Sequence, residues 1–484
     1  MATYDYDVII AGGGMSGLVT AASVGVHSKQ KAKVLVVDRN PPTEPGKKTI
    51  NGWTCGDAVS KRSVDYIYEN LGIKYGSPEL EHPVEGVLVY SPDHETKVLF
   101  DGEGYTLNRR LMPQRQVEDA KKLGVEFAFN VAIDEVYTED GYVRGVIGRD
   151  TKNNTPFKKT AKMVVDSAGS ATTLRRTLPI KSKIDIEVDR DDLESTGRYI
   201  YEFETGAEDP TWFDSRYAII HLDQYLAPGG YAWTFAKGKN KVNIGLGVQK
   251  SALDKRNAKF GKKDTLQTLI DEYVTQNKSL KNPVQSPNKN DTGNTKGSWQ
   301  VSVRRHNDCL VANGYALVGD AGWMARPIDA GGMGPAIYAG VILGRIIARA
   351  LETNDVSESG LWQYNIDYMN LYGFQMASFE ILRRYLQTLS NDQISYGMKY
   401  FLGEDDVRAI VNREHPKFSK LKLLNPAMLA RVAAHPDLAR GLQYTAKKSE
   451  ALIAHNLNYP KSPEGFSEWK KKLLAELQEA YDKF

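Results

Sequence analysis

One local motif dictates the arrangement of everything around it: Gly12-Gly13-Gly14-Met15-Ser16-Gly17, which fits the pattern GxGxxG. The apolar run Val8-Ile9-Ile10 leads into it, and the small, helix-compatible segment from Leu18 to Val26 follows. Val34-Leu35-Val36-Val37 then reads as a second buried strand, ending at Asp38, 21 residues after Gly17. Strand, turn, helix and strand within about thirty residues is the size of a βαβ unit. Each position has a mechanical task. Gly12 permits the tight turn, Gly14 lets a pyrophosphate approach the backbone, and Gly17 lets helix and strand pack closely. The helix start at Met15 and Ser16 offers free N–H groups and a positive dipole end. Asp38 is placed to accept ribose hydroxyls. The motif predicts a bound dinucleotide and does not by itself separate FAD from NAD.

Buried-strand signals return at Met163-Val164-Val165 and at Ala316-Leu317-Val318. Between them the chain changes character. Residues 84–148 read as short strands broken by turns, and Tyr199 to Val248 as several antiparallel strands. Thr275 to Gly297 is polar, carries Pro283 and Pro287, and reads as an exposed connection. Beyond Pro335 the pattern is helical almost throughout. The expected fold is therefore α/β: a discontinuous Rossmann-like nucleotide domain (1–85, 100–180 and 300–350), an inserted antiparallel β-sheet domain for substrate (86–99 and 181–299), and a helical C-terminal region (351–484).

A second motif chooses the cofactor. Leu317-Val318-Gly319-Asp320-Ala321-Gly322 is followed by Pro327 and by Gly331-Gly332-Met333-Gly334. A buried strand ending in Gly-Asp, before a glycine-rich helix start, resembles the second FAD fingerprint of the p-hydroxybenzoate hydroxylase-like flavoproteins. The resemblance implies non-covalent FAD, with Asp320 at the ribityl chain. It also sets the helix start at Gly332 and Met333 near the pyrimidine end of the ring system.

Further segments narrow the family. Cys55-Gly56-Asp57-Ala58 resembles the Cys-Gly-(Asp/Glu) motif of the geranylgeranyl reductases. Pro228-Gly229-Gly230-Tyr231-Ala232-Trp233-Thr234-Phe235 matches that family's PxxYxWxF motif at each fixed position, and continues as Lys237-Gly238-Lys239-Asn240-Lys241-Val242-Asn243-Ile244-Gly245-Leu246-Gly247. Leu386 to Asp392 and Leu457-Asn458-Tyr459-Pro460 also resemble archaeal members. The resemblance implies an FAD-dependent oxidoreductase acting on CH–CH groups. It would saturate geranylgeranyl double bonds of archaeal ether-lipid precursors, using a hydride from reduced flavin and a proton. Cofactor contacts are then expected at Gly12, Gly14, Met15, Ser16, Gly17, Asp38, Cys55, Gly56, Ala58, Val131, Gly169, Gly319, Asp320, Gly332 and Met333. An arginine contact falls to Arg109, with Arg115 as rival.

The residues carry their own argument. Tyr231, Trp233 and Phe235 alternate, so on a strand they share one face. Two readings are open: ordinary core packing, or the wall of a tunnel for an apolar polyene and the cation formed from it. Cys55 is the candidate proton donor or gate, set against the role of a small buried hydrophobe. Asp57 either orients the loop or is solvated, and Cys309 is structural. None of the 8 His falls in a ligand-like pair, and no metal is expected. Asp166-Ser167-Ala168-Gly169 has Ala168 where some flavin hydroxylases carry the Asp that serves both FAD and NADPH. That weakens direct NADPH use and favours an external reductant, ferredoxin or otherwise NAD(P)H. An FAD monooxygenase of an apolar or aromatic substrate is the alternative. An electron-transfer flavoprotein to quinone would often bring an iron–sulfur cysteine cluster, which two cysteines cannot supply.

Composition adds exclusions. The 484 residues carry 63 Lys and Arg against 60 Asp and Glu, a net charge of +3 that gives no global reason to bind nucleic acid. Two distant cysteines rule out a disulfide framework and suit a reducing compartment. No signal peptide is read at the N-terminus, so the expected location is cytoplasmic. No apolar run reaches the ~20 residues of a membrane span, the best candidate, Ile337 to Ala350, being interrupted by Arg345 and Arg349. Trp469 to Phe484 has helical apolar spacing behind Lys470-Lys471-Lys472. Such a helix either lies peripherally on the inner face of the cell membrane or packs on its own domain.

Overall fold

The computed structural model describes residues 4–47, 53–205, 209–286, 295–412, 414, 416–422 and 425–484. In chain order the strands are β1 (Tyr6–Ala11), β2 (Val34–Asp38), β3 (Ala58–Ser60), β4 (Leu80–Tyr90), β5 (Lys97–Leu107), β6 (Glu126–Phe129), β7 (Val131–Glu139), β8 (Tyr142–Asp150), β9 (Pro156–Asp166), β10 (Leu193–Thr205), β11 (Tyr217–His221), β12 (Ala232–Ala236), β13 (Lys241–Gln249), β14 (Leu280–Gln285), β15 (Lys296–Ser302), β16 (Val311–Ala312) and β17 (Tyr315–Leu317).

The apolar runs read from the sequence build the first sheet, ordered β16-β17-β9-β1-β2-β6, with β7 and β8 continuing from β9. β1 pairs in parallel with β2 on one side and β9 on the other. Val8, Ile9 and Ile10 are fully buried because both faces of such a sheet are covered. The chain runs from β1 to β2 on one side and returns to β9 on the other, so a crevice opens at the carboxyl end of β1, where Gly12 begins.

The helix Met15–His27 leaves that crevice and crosses the helix Met333–Glu352 closely. A Cβ on Gly340 would stand 3.1 Å from the Ser16 carbonyl oxygen, and Ser23 Oγ donates to the Val341 carbonyl at 2.8 Å. The glycine spacing thus locks together the two helices whose N-termini frame the site. By length and composition Met333–Glu352 could cross a membrane, contrary to the sequence expectation. Yet 78% of its apolar window is buried inside the protein.

The second sheet runs β14-β10-β13-β12-β11-β4-β5-β3, with β15 also paired to β10. It is antiparallel except where β11 meets β4. The sheet draws on β3, β4 and β5, a wider part of the early chain than residues 86–99. Alternation along β13 sorts its faces. Val242, Ile244, Leu246 and Val248 pack with Leu269, Ile270 and Tyr273 of the helix Leu266–Gln276, while Asn243, Gly245 and Gly247 face the other way.

One expectation is corrected, and one of two open readings is taken up. The stretch from Thr275 to Gly297 is not simply an exposed connection: β14 and β15 lie at its two ends, both on one edge of β10. Edge strands tolerate the Pro and Lys that made it look like a loop. The terminal helix Phe466–Tyr481 buries Trp469, Leu473, Leu477 and Ala480 against its own protein. Lys470 pairs with Asp185, and Lys472 with Glu468. Its apolar face is therefore inside, the packed one of the two readings of this segment.

Candidate active site

A cavity of about 1470 Å³ joins the two sheets and the C-terminal helices. That exceeds the ~300–1,000 Å³ of an ordinary small-ligand site. Its lining holds Gly12, Gly14, Met15, Ser16 and Asp38 at one end, Cys55, Gly56, Ala58 and Arg109 in the middle, and Tyr231, Trp233 and Phe235 opposite. Val131, Gly169, Gly319, Asp320, Gly332 and Met333 line it too. Dispersed sequence positions therefore meet in one space.

The glycines behave as their motif requires. Gly12 has φ +110°, and a Cβ there would meet the Ser167 carbonyl oxygen at 2.5 Å. Gly17 lies off the cavity, where a Cβ would meet Ser167 Oγ at 2.5 Å, so its task is packing. A Cβ on Gly14 would meet nothing within 4 Å, which leaves the backbone open to a close ligand. Neither Gly14 nor Gly332, the residues capping the two framing helices, makes a side-chain cap. Two uncapped helix N-termini facing one elongated cavity fit a dinucleotide such as FAD. One end suits the pyrophosphate and the other an electron-rich ring.

Asp38 holds more than was expected. Its carboxylate accepts N–H groups from Gly13 (2.7 Å), Asn40 (2.7 Å, and its side chain at 2.8 Å) and Gly46 (3.2 Å). A carboxylate has about four lone-pair sites, so a ribose hydroxyl would compete with these donors. Asp38 thus fixes the glycine loop first. Burial pushes its pKa up, while the same N–H groups oppose the rise.

The two arginines differ in position. Arg109 is buried, lines the cavity and donates Nη1–H to Met333 Sδ at 3.6 Å. Arg115 does not line it. It stands on the outer side of its helix, paired with Asp119 at 2.8 Å.

On the opposite wall the rings of Tyr231 and Trp233 lie 6.0 Å apart, and those of Trp233 and Phe235 6.1 Å apart. Room for them comes from β13. Trp233 is paired with Gly245, where a Cβ would stand 2.6 Å from Trp233 Cζ2. A Cβ on Gly56 would meet Phe235 Cε2 at 2.8 Å, so the cysteine loop rests directly on the wall. Tyr231 donates its hydroxyl to the Asp329 carbonyl at 2.6 Å, and burial raises its pKa well above the ordinary phenol value.

Beneath the Cys55 loop lies a charge cluster that sequence reading missed. Asp57 is fully buried rather than solvated, at φ +66°. Its carboxylate meets Lys237 Nζ at 3.3 Å and Arg109 Nε at 4.0 Å. Lys237 also reaches Glu81 at 2.6 Å and the Leu107 carbonyl at 2.7 Å, and Lys241 pairs with Glu81 at 2.8 Å. Arg198, fully buried on β10 and paired in register with Gly245, lines the cavity. Burial pulls its guanidinium pKa down while Asp57 pulls it up. Four basic groups thus stand around two acidic ones. Asp57 N–H donates to Cys55 Sγ at 3.3 Å. The Cys55 sulfur is thereby tied to the backbone of the residue that anchors this cluster.

Past Tyr231 the cavity becomes apolar. Leu382 and Leu386 of the helix Met376–Gln387 line it, with Leu389, Met398, Phe418, Leu438 and Leu442. The helical spacing of Leu382, Leu386 and Leu389 was the available signal. Cys309 is enclosed in the core, where burial pushes its thiol up to about 12.

The comparisons with known proteins fall on this geometry. The family model for the geranylgeranyl reductase catalytic domain matches residues 192–285, which carry β10 to β14. A digeranylgeranylglycerophospholipid reductase of Sulfolobus acidocaldarius is 34% identical over 97% of this chain and 96% of its own. One of the same name from Methanothrix thermoacetophila is 25% identical over 87% of this chain and 97% of its own. Among solved structures, a geranylgeranyl bacteriochlorophyll reductase-like protein of Thermoplasma acidophilum superimposes with TM-score 0.70 at 23% identity, covering 91% of this chain and 99% of that one. A myxobacterial FAD-dependent chondrochloren halogenase follows the same fold with TM-score 0.63 at 17% identity, over 91% of this chain and 97% of that one.

Proposed function

The chain belongs to the geranylgeranyl reductase family, and from that premise we propose that it is an FAD-dependent reductase that saturates the double bonds of geranylgeranyl chains on an ether-lipid precursor. One observation carries the reading: a single cavity leads from a dinucleotide cradle, past Cys55 and three aromatic rings, into an apolar end.

Gly12, Gly14, Met15, Ser16, Arg109, Gly319, Asp320, Gly332 and Met333 would hold the cofactor. Bound and reduced, FAD supplies the hydride for one carbon of the alkene. The protein's own groups manage the rest. Cys55 holds the proton for the other carbon, and the Asp57 N–H at its sulfur stabilises the charge left behind. Tyr231, Trp233 and Phe235 face the carbon where positive charge develops, each good contact contributing ~0.5–2 kcal/mol. Leu382, Leu386 and Leu442 take up the remaining isoprene units and keep water out.

Electrons come from an external donor, ferredoxin or NAD(P)H. Ala168, beside the buried Asp166, supports ferredoxin. Asp166 is already engaged by Tyr315, Thr172 and the Ala168 N–H. Two unpaired thiols support a cytoplasmic location, with the lipid met at the inner face of the cell membrane. The test is anaerobic. The dithionite-reduced holoprotein, given geranylgeranyl phospholipid, should regain the visible absorbance of oxidised flavin without oxygen, and the lipid should gain mass in hydrogen pairs. A flavin that stays reduced beside unchanged lipid would refute the proposal.

A further inference from the structure

We propose that Asn243 is a positioning residue: it fixes Cys55 and Trp233 relative to one another, so that the proton donor and the aromatic wall address the same double bond. The inference rests on reading the cavity as a prenyl-reducing site.

Asn243 is fully buried on β13. Its side-chain nitrogen donates to the Cys55 carbonyl at 2.8 Å and to Asp57 Oδ2 at 2.9 Å. Its oxygen accepts the Trp233 indole N–H at 2.9 Å. The two partners of the nitrogen only accept and the partner of the oxygen only donates, so a flipped amide would lose all three bonds. The backbone carrying the side chain is itself held from both sides, Asn243 being paired with Ile200 of β10 and Phe235 of β12. One amide therefore joins a loop and a strand far apart in sequence, at the point where Cys55 faces the cavity.

No common substitute repeats this. Aspartate loses both donors and sets a second carboxylate against Asp57. Leucine keeps the volume and loses every bond. At an active site a displacement of ~1 Å can cost on the order of 10²-fold in rate.

The test compares Asn243→Leu with the parent holoenzyme. The lipid KM should hold while kcat falls by on the order of 10–100-fold. In a Cys55→Ala background the same substitution should cost less than about threefold, because the group it positions is gone. A second readout is independent of the reaction. Cys309 is enclosed, so a neutral alkylating reagent reports Cys55 alone. Its rate should rise on the order of tenfold in Asn243→Leu, as loss of buried hydrogen bonds loosens the loop. If Asn243→Leu does not fold, Asn243→Ser, smaller and still polar, takes its place in both assays. Unchanged kcat and alkylation, or full additivity with Cys55→Ala, would overturn the proposal. A parent protein that leaves lipid untouched but shows the alkylation change would sink the reductase reading and not the placement of Cys55 by Asn243.

Discussion

Replacing Lys237 by methionine tests the charge cluster beneath Cys55. The lysine side chain is wholly inaccessible and holds three partners: Asp57 at 3.3 Å, Glu81 at 2.6 Å and the Leu107 carbonyl at 2.7 Å. Methionine fills much the same volume, so the cavity term is small and the electrostatic term dominates. Asp57 would keep Asn243 and the more distant Arg109, and Glu81 would keep Lys241. Removing one partner of a buried pair costs about 3–5 kcal/mol, because the remaining charge stays desolvated. Lys241→Met is the control. Lys241 is partly accessible, and Glu81 retains Lys237, so about 1 kcal/mol is expected there. Urea unfolding of the holoproteins at fixed flavin concentration reads the difference. A Lys237→Met loss below about 1 kcal/mol, or equal losses at both lysines, would refute the reasoning.

Three further outcomes are expected. Cys55→Ala should retain FAD and lose most turnover with geranylgeranyl lipid, whereas unchanged turnover removes the thiol as proton donor. Gly245→Ala would drive a Cβ to 2.6 Å from Trp233 Cζ2 and closer still to the Gly197 carbonyl. It should cost about 1–3 kcal/mol in unfolding free energy and displace the indole, lowering kcat with it. His221 is held neutral between the Tyr273 hydroxyl and the Thr211 carbonyl, with its pKa pulled down to about 3 by burial. The unfolded chain binds a proton near pH ~6.5 that the folded one refuses, so stability falls as pH drops below that value, by about 1.4 kcal/mol per unit for this group. His221→Gln should flatten that slope in urea titrations between pH 5 and pH 7, and an identical slope in both proteins would show that another group carries it.

What the sequence made legible depended on range. The glycine loop could be read outright because its turn, close approach and helix start are settled within a dozen residues. The aromatic face could be read because a period of two is local. Asn243 sat in plain view as the polar position of Val242-Asn243-Ile244-Gly245-Leu246-Gly247, whose alternation marks an apolar face and a sparse one. Its partners lie 188 and 186 residues away, however, and only the folded sheet brings them together. Lys237, Glu81 and Arg198 were hidden for the same reason. Composition misled at β14 and β15, where an edge position, not a loop, admits Pro283 and the lysines. It also left the terminal helix ambiguous, since an amphipathic face serves a membrane or a core equally well until its neighbours are known. Arg109 and Arg115 were indistinguishable without the burial that separates them.

The account turns on one cavity that holds the cofactor cradle and the prenyl chain together. A geranylgeranyl phospholipid bearing a photoactivatable diazirine on its terminal isoprene, irradiated with the oxidised holoprotein and mapped by peptide mass spectrometry, tests this directly. The label is expected on the apolar end, in peptides holding Leu382, Leu386, Leu389, Leu438 or Leu442, with attachment lost when unlabelled lipid competes. Competed labelling outside that lining, or none above a detergent control, would contradict the single-cavity account.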